Sequence, residues 1–328
     1  RSFVPPEAVR DLRSLTRTRS RLAQDQVRHQ NRVEKILEDA LLKIPVVISG
    51  LSGASGRRFL DALAAGQRSP AAPAALGSPR LKATRRELAD ALTGRFRDVH
   101  AFEIATHLRL IDAISDEITR LDAAIGQQLA QIPGVAPACA GCGLAGGGHS
   151  PGCAAGGTPV PGLVARLDEI TGADVRNAQV LIAGPGTGMP VFPAPGHAAA
   201  WARLTPRTAQ SGTTTRPGRT GKGNPYLRGA LGQAVMAAAR TTGTRPGEQY
   251  RRIARRRGKQ KAIVAVSRVI CEITAILIAG PAARCTGPGA GYYASLSPRR
   301  RTRSRIREIE RLNPGMKVTL TPAAATPA

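Results

Sequence analysis

The sequence predicts a mostly α fold, in which a long helical hairpin or coiled-coil region precedes a small basic α-helical domain with a helix-hairpin-helix-like element. Three observations predict it. Apolar residues recur every three or four positions along two long stretches of the amino-terminal part, the period of a helix with one buried face. Residues 133–162 are rich in Gly, Ala, Pro and Cys and too poor in large apolar groups to build a core, so they divide the chain. Beyond them the charge changes: 201–328 carry 25 basic and 4 acidic groups, against 21 and 15 over 1–130 and 2 and 3 over 131–200. The partition is a helical or coiled-coil region over 1–132, a linker or small zinc-binding insert over 133–162, a carboxy-terminal domain over 163–298 and a basic tail over 299–328.

The first helix is expected from Glu7 to about Leu42, with Leu12, Leu15, Leu22, Val27, Val33, Ile36, Leu37 and Leu41 on its apolar stripe. Pro5-Pro6 precedes it and Pro45 ends it. A short helix, Arg57 to Ala65, follows between connectors at 50–56 and 69–79. A second long helix should run from about Ala101 to Gln131 on Leu108, Ile111, Ile114, Ile118, Leu121, Ile125 and Leu129. Two such helices suit an antiparallel pair or a dimeric coiled coil, which makes a homo-oligomer the expected state. Leu163 to Ile182 returns to helical spacing around Thr171-Gly172-Ala173. That unit is either a hairpin whose turn amides hold a backbone phosphate or a packing unit without such contact. A helix from Pro195 to about Leu204 leads into the Gly-rich segment Thr205 to Gly223. Asn224-Pro225 then opens a helix reaching about Thr242, with Asn as N-cap and Pro at the first helical position. A basic helix over 248–261, an apolar helix over 262–279 and a tail carrying Arg299, Arg300, Arg301, Arg303, Arg305 and Arg307 complete the chain.

A net charge of +26 repels itself unless a polyanion or an anionic surface neutralises it. A GC-rich codon bias toward Arg would act along the whole chain, yet residues 131–200 carry only 2 basic groups. The apolar run Ala262 to Ala279 contains Arg268 and Glu272, four apart and able to pair on one helix face, so a buried helix is expected rather than a membrane span. The opening residues lack an apolar signal core, and a cytoplasmic location is expected. Five Cys, three within fifteen residues, do not suggest a secreted disulfide framework. With ten aromatic residues in the chain, base stacking should be secondary to phosphate contact.

Thr208-Ala209-Gln210-Ser211-Gly212 precedes Arg216, Arg219 and Lys222 on one short loop ending at a helix start. Amides, a helix dipole and cations together are what a phosphate site requires, and Ser211 there is a candidate nucleophile toward a phosphodiester. A plain turn serine is the alternative. Lys222 is followed by Gly223, so no Ser or Thr is placed to hold magnesium as in a Walker loop. Arg207, Arg251, Arg252, Arg255, Arg256, Arg257 and Lys259 join these cations as candidate nucleic-acid contacts. Cys139, Cys142, His149 and Cys153 follow a C-x2-C-x6-H-x3-C spacing compatible with tetrahedral zinc, the other reading being an unmetallated linker. Cys271 and Cys285 read as buried thiols, and His29, His100, His107 and His197 as isolated groups without a role.

Arg207-Thr208-Ala209-Gln210-Ser211-Gly212, followed by Gly218-Arg219-Thr220-Gly221-Lys222-Gly223-Asn224-Pro225-Tyr226-Leu227, resembles the carboxy-terminal domain of the insertion-sequence 110/116/902 transposases. Phe3-Val4-Pro5-Pro6-Glu7, Gly94-Arg95-Phe96-Arg97-Asp98, Arg251 to Lys259 and Val318-Thr319-Leu320-Thr321-Pro322 resemble further landmarks of that family in the same order. The resemblance implies a transposase, a site-specific DNA recombinase in which a serine matching Ser211 becomes covalently joined to DNA. It implies DNA as partner and, by likeness to members described as RNA-guided, a structured bridge RNA. It also implies Mg2+ held by an acidic tetrad that belongs upstream of Phe3 and cannot be placed on these residues, so this chain alone is expected to be inactive. A non-catalytic nucleic-acid-binding remnant is the alternative. Asp11, Asp39 and Asp61 read as solvated ion-pairing groups. Gly184-Pro185-Gly186 departs from the family pattern, and Pro185 should end its helix.

Overall fold

The computed structural model describes residues 4–44, 50–51, 53–67, 84–135, 138–139, 159–287, 289, 292–295 and 298–320. The chain forms two compact units, Glu7–Gln131 and Ile132–Ala328 with Arg1–Pro6.

In the amino-terminal unit, α1 (Glu7–Asp39) and α4 (Asp98–Ala130) are each 33 residues, about 50 Å long. They run antiparallel: the Gln128 amide donates to the Ala8 carbonyl near one end, while His29 meets His107 toward the other. Between them lie α2 (Ala54–Ala64) and α3 (Arg85–Ala91). These short helices cover only one end of the hairpin. There Leu51, Phe59, Leu60, Leu63, Leu88 and Leu92 pack with Val33, Leu37, Ile104 and Leu108 into one cluster. Burying such side chains contributes about 1.5–3 kcal/mol each, and Val9, Leu12, Ile125 and Leu129 are buried as well toward the opposite end. Thr84 begins α3 with a reciprocal cap, its hydroxyl accepting from Glu87 N at 3.3 Å while Glu87 Oε2 accepts from Thr84 N at 2.7 Å.

Along the middle of the hairpin Leu15, Leu22, Ile111, Ile114, Ile118 and Leu121 stay half-buried. Val27 and Leu41, placed on the apolar stripe by periodicity, are 50% and 56% exposed. Leu41 turns outward because α1 has already ended, and its φ is +61°. Polar pairs set the register where apolar contact is thin: Arg19 pairs with Asp122, and Gln26 Nε2 donates to Ser115 Oγ at 2.8 Å. Asp61 and Asp112 both hold Arg57, so these acids are ion-pairing groups as expected.

His29 and His107, isolated in sequence, are partners here, with Nδ1 atoms 3.1 Å apart. Burial, the neighbouring His29 and the Arg32 charge push the His107 pKa below its ordinary 6.5, against a smaller opposing pull from Glu103. Between the lowered folded value and 6.5 the unfolded chain binds more protons, so this contribution to stability is present above pH 6.5 and lost as pH falls below it. Once corrected for the slowing of intrinsic amide exchange in acid, the protection of α1 and α4 against hydrogen exchange should therefore fall on acidification below pH 6.5, and His107→Gln should flatten that dependence.

The carboxy-terminal unit begins with β1 (Ala138–Cys139) paired antiparallel to β2 (Pro159–Val160). It continues with α5 (Leu163–Asp168), α6 (Val175–Ala183), a 3-10 turn (Met189–Val191) and α7 (Pro195–Trp201). A β-hairpin, β3 (Pro206–Ser211) and β4 (Thr214–Thr220), precedes α8 (Pro225–Arg240). Then follow α9 (Arg245–Arg257), α10 (Lys259–Ala279), α11 (Tyr292–Ser295) and α12 (Pro298–Leu312). The basic and apolar helices divide at Gly258, whose φ of +85° breaks the helix three residues before the expected boundary.

α10 packs against α5, α7, α8 and α9, and buries Ala262, Val266, Ile270, Cys271, Thr274, Ala275, Leu277 and Ile278. By length and composition α10 could cross a membrane; half of its apolar stretch is buried within the unit. Arg268 and Glu272 pair at 2.8 Å, as their spacing predicts. Arg166 of α5 is only 3% exposed and spreads one guanidinium nitrogen, Nη1, over the carbonyls of Leu277, Gly280 and Ala283 at 2.8, 2.7 and 3.3 Å. It thereby caps the negative end of α10. Glu169 pins the next stretch by accepting from Arg284 Nε at 2.6 Å and Cys285 N at 3.0 Å. The turn between α5 and α6 holds Gly172 against α8, close enough that a Cβ would lie 2.2 Å from the Ala234 carbonyl. That face of the turn is occupied by helix packing. α6 stops at Ala183, directly before Gly184-Pro185, as expected for a proline there.

Candidate nucleic-acid interface

The segment read as a Gly-rich loop is a two-stranded hairpin. Thr208, Thr214, Thr215 and Thr220 are β-branched and favour extended backbone, and Ser211-Gly212-Thr213-Thr214 closes it with a two-residue turn. Ser211 pairs with Thr214, Gln210 with Thr215, Ala209 with Arg216 and Thr208 with Pro217. Gly212 takes a φ of +57°, and residues 210–214 are all exposed. Ser211 thus stands at the tip of a projecting ribbon. Among the described residues no base is hydrogen-bonded to its hydroxyl.

The base of the ribbon is held by close backbone approach. A Cβ on Gly218 would meet the Arg207 carbonyl at 2.0 Å, and one on Gly223 the Ala202 carbonyl at 2.6 Å. Gly221 is surrounded by cations: its Cβ position lies 3.3 Å from Arg203 Cδ and 3.4 Å from Arg207 Nη2, and Arg228 Nη1 donates to its carbonyl at 3.2 Å. Lys222 is exposed beside them. Arg203 and Arg228 were not singled out by sequence reasoning, because only the fold returns α7 and α8 to the same glycine. Arg203 has a φ of +59°, which no sequence pattern announced. Arg216 and Arg219 lie on β4.

Two features of the expected phosphate site change. The first amides of α8 are already satisfied, since Asn224 Oδ1 accepts from Tyr226 N at 3.0 Å and Leu227 N at 3.5 Å. The cations, rather than the helix terminus, therefore supply the anion attraction. Arg251 turns inward to donate to the Ala239 and Thr241 carbonyls at 3.1 and 3.4 Å, closing the end of α8. Arg252 lies over the Tyr293 ring. Arg255, Arg256, Arg257 and Lys259 remain exposed at the α9–α10 corner. These exposed side chains make the outward face of α9 basic, while Pro246 and Gly247 at its start are buried.

Cys271 is buried, which pushes its thiol up to about 12, and Cys285 is raised by the same cause; neither is a nucleophile at neutral pH. Among the described residues no three His, Cys, Asp or Glu side chains gather to hold a metal ion. The described residues therefore do not by themselves form the Mg2+ site implied by the resemblance. Cys139 lies in β1, while Cys142, His149 and Cys153 fall outside the described residues.

A strongly basic helical domain that projects a hairpin and clusters arginines at its base is a domain organised to meet a polyanion. Residues 164–251, from α5 into α9, match the family model described as Transposase IS116/IS110/IS902 family, which supports a transposase domain there. No curated protein matches the chain.

Proposed function

We propose that the chain acts in transposition of an insertion sequence by binding DNA along its hairpin and α9 corner, with Ser211 as the nucleophile of strand exchange. The observation that carries this reading is the exposed Ser211 at the tip of a cation-based ribbon inside the stretch that matches the transposase family model. In the step, Ser211 Oγ forms a bond to phosphorus and the bond from phosphorus to one sugar oxygen breaks. A base takes the hydroxyl proton, and the departing oxygen gains one. Arg203, Arg207 and Lys222 stand at the base of the ribbon, about 13 Å or more along the strand from Ser211, and hold neighbouring backbone phosphates of the DNA. The carboxylates and Mg2+ of the family come from outside these residues, so catalysis needs the acidic domain that the resemblance places upstream of Phe3. A structured RNA, a homo-oligomer and a cytoplasmic setting belong to the same proposal.

The test is covalent trapping on end-labelled insertion-sequence DNA with the acidic domain and Mg2+ supplied, followed by peptide mapping. An adduct on Ser211 that disappears in Ser211→Ala is the expected result; a serine adduct that survives the substitution overturns the assignment. The exposed cations at the ribbon base and the α9 corner support a second reading, a nucleic-acid-binding protein without strand cleavage. It predicts steeply salt-dependent binding and no adduct under any of these conditions. Zinc at Cys139, Cys142, His149 and Cys153 rests on spacing, and metal analysis of the purified protein tests it.

A further inference from the structure

α11 carries Tyr292 and Tyr293, and both rings are spent on α9. The Arg245 guanidinium carbon stands 4.3 Å from the Tyr292 centroid, and that of Arg252 4.2 Å from the Tyr293 centroid. Arg245, Gln249 and Arg252 are spaced four and three apart, so they share one face of α9. On that face Arg245 Nε and Gln249 Oε1 are buried with no hydrogen-bond partner among the described residues. Each tyrosine ring offers an arginine its π face, but its one polar edge group, the phenolic hydroxyl, bonds neither the buried Arg245 N–H nor the buried Gln249 carbonyl oxygen. An unsatisfied buried polar atom is costly, so this cover is incomplete. α11 is also a single turn of four residues, too short to hold helical form by itself.

We propose that the Arg245–Gln249–Arg252 face of α9 is a binding site for unpaired nucleobases, occupied here by the chain's own Tyr292 and Tyr293 as a displaceable strap. A nucleobase has the flat π surface that both arginines already stack on. Its edge adds donors and acceptors that can satisfy the Gln249 amide and the Arg245 N–H. In a duplex those faces are stacked and closed, which selects single strands. The site rests on the nucleic-acid reading above and deepens it: the strap lets α9 hold a strand only where base pairing has been opened.

The test uses the full chain and anisotropy of labelled oligothymidine, oligouridine and a blunt DNA duplex of equal length. Tyr292→Leu/Tyr293→Leu keeps apolar cover but removes both rings. It should tighten binding of the two single strands about tenfold and leave the duplex unchanged, the size expected from releasing two exposed cation–π contacts. Gln249→Leu added to that variant should take back most of the gain, and Tyr292→Phe/Tyr293→Phe should bind as the parent does. Unchanged or weaker single-strand binding by the Leu variant overturns the proposal, as does an equal gain on duplex, which would report exposed charge alone. Failure of every form to bind any of the three probes overturns the nucleic-acid reading together with it.

Discussion

Gly172→Ala should destabilise the carboxy-terminal unit by about 2–5 kcal/mol, lowering its urea midpoint. The estimate joins two costs. The residue has a φ of +88°, where a Cβ costs roughly 1–2 kcal/mol. The added carbon would also lie 2.2 Å from the Ala234 carbonyl oxygen and 2.6 Å from Ala238 N. Both neighbours are backbone of α8, so relief requires the helix to move rather than a side chain to turn, an overpacking cost of about 1–3 kcal/mol. Gly243→Ala is the control, because its φ of +75° carries the same torsional cost with open space around it. It should cost about 1 kcal/mol. Equal midpoints for the two variants would remove the close approach as the cause.

Arg166→Leu should cost about 2–4 kcal/mol in the same measurement. The substitution fills most of the volume, so the loss is that of three carbonyl acceptors at the end of α10 left without their shared donor. Part of it is regained because a buried cation no longer has to be desolvated, which keeps the estimate below the sum of its bonds. Glu169→Gln offers the comparison: its partner Arg284 is half-exposed, and a change of less than about 1 kcal/mol is expected. If Arg166→Leu proved as mild as Glu169→Gln, the cap would not be what holds the α10 terminus.

Helices were legible where local chemistry decides them. The two long helices, the Asn224-Pro225 start and the stop before Pro185 all follow from periodicity, capping and the geometry of proline. The stripe of α1 was over-read because periodicity marks one side of a helix without saying how far a neighbour extends along it. Val27 is therefore apolar yet exposed. The hairpin was missed because Gly and Pro in Thr205 to Gly223 read as loop, while its threonines and the Ser211-Gly212 turn were the available strand signal. His29 with His107, and Tyr292 with Arg245, are separated by tens of residues, and no local pattern joins them.

What the sequence by itself determined is the mostly helical class, the concentration of positive charge in the carboxy-terminal part and the likeness of the Ser211 segment to a transposase domain. These depend on period, composition and short-range spacing. Only the tertiary structure decided that Ser211 rides a projecting ribbon and that Arg203, Arg207 and Arg228 gather at Gly221. It likewise turned Arg251 into a cap and placed Arg252 beneath a tyrosine. The reason is physical: an arginine carries the same charge wherever it stands, and whether that charge meets a partner strand, a carbonyl or an aromatic ring depends on which elements the core brings beside it.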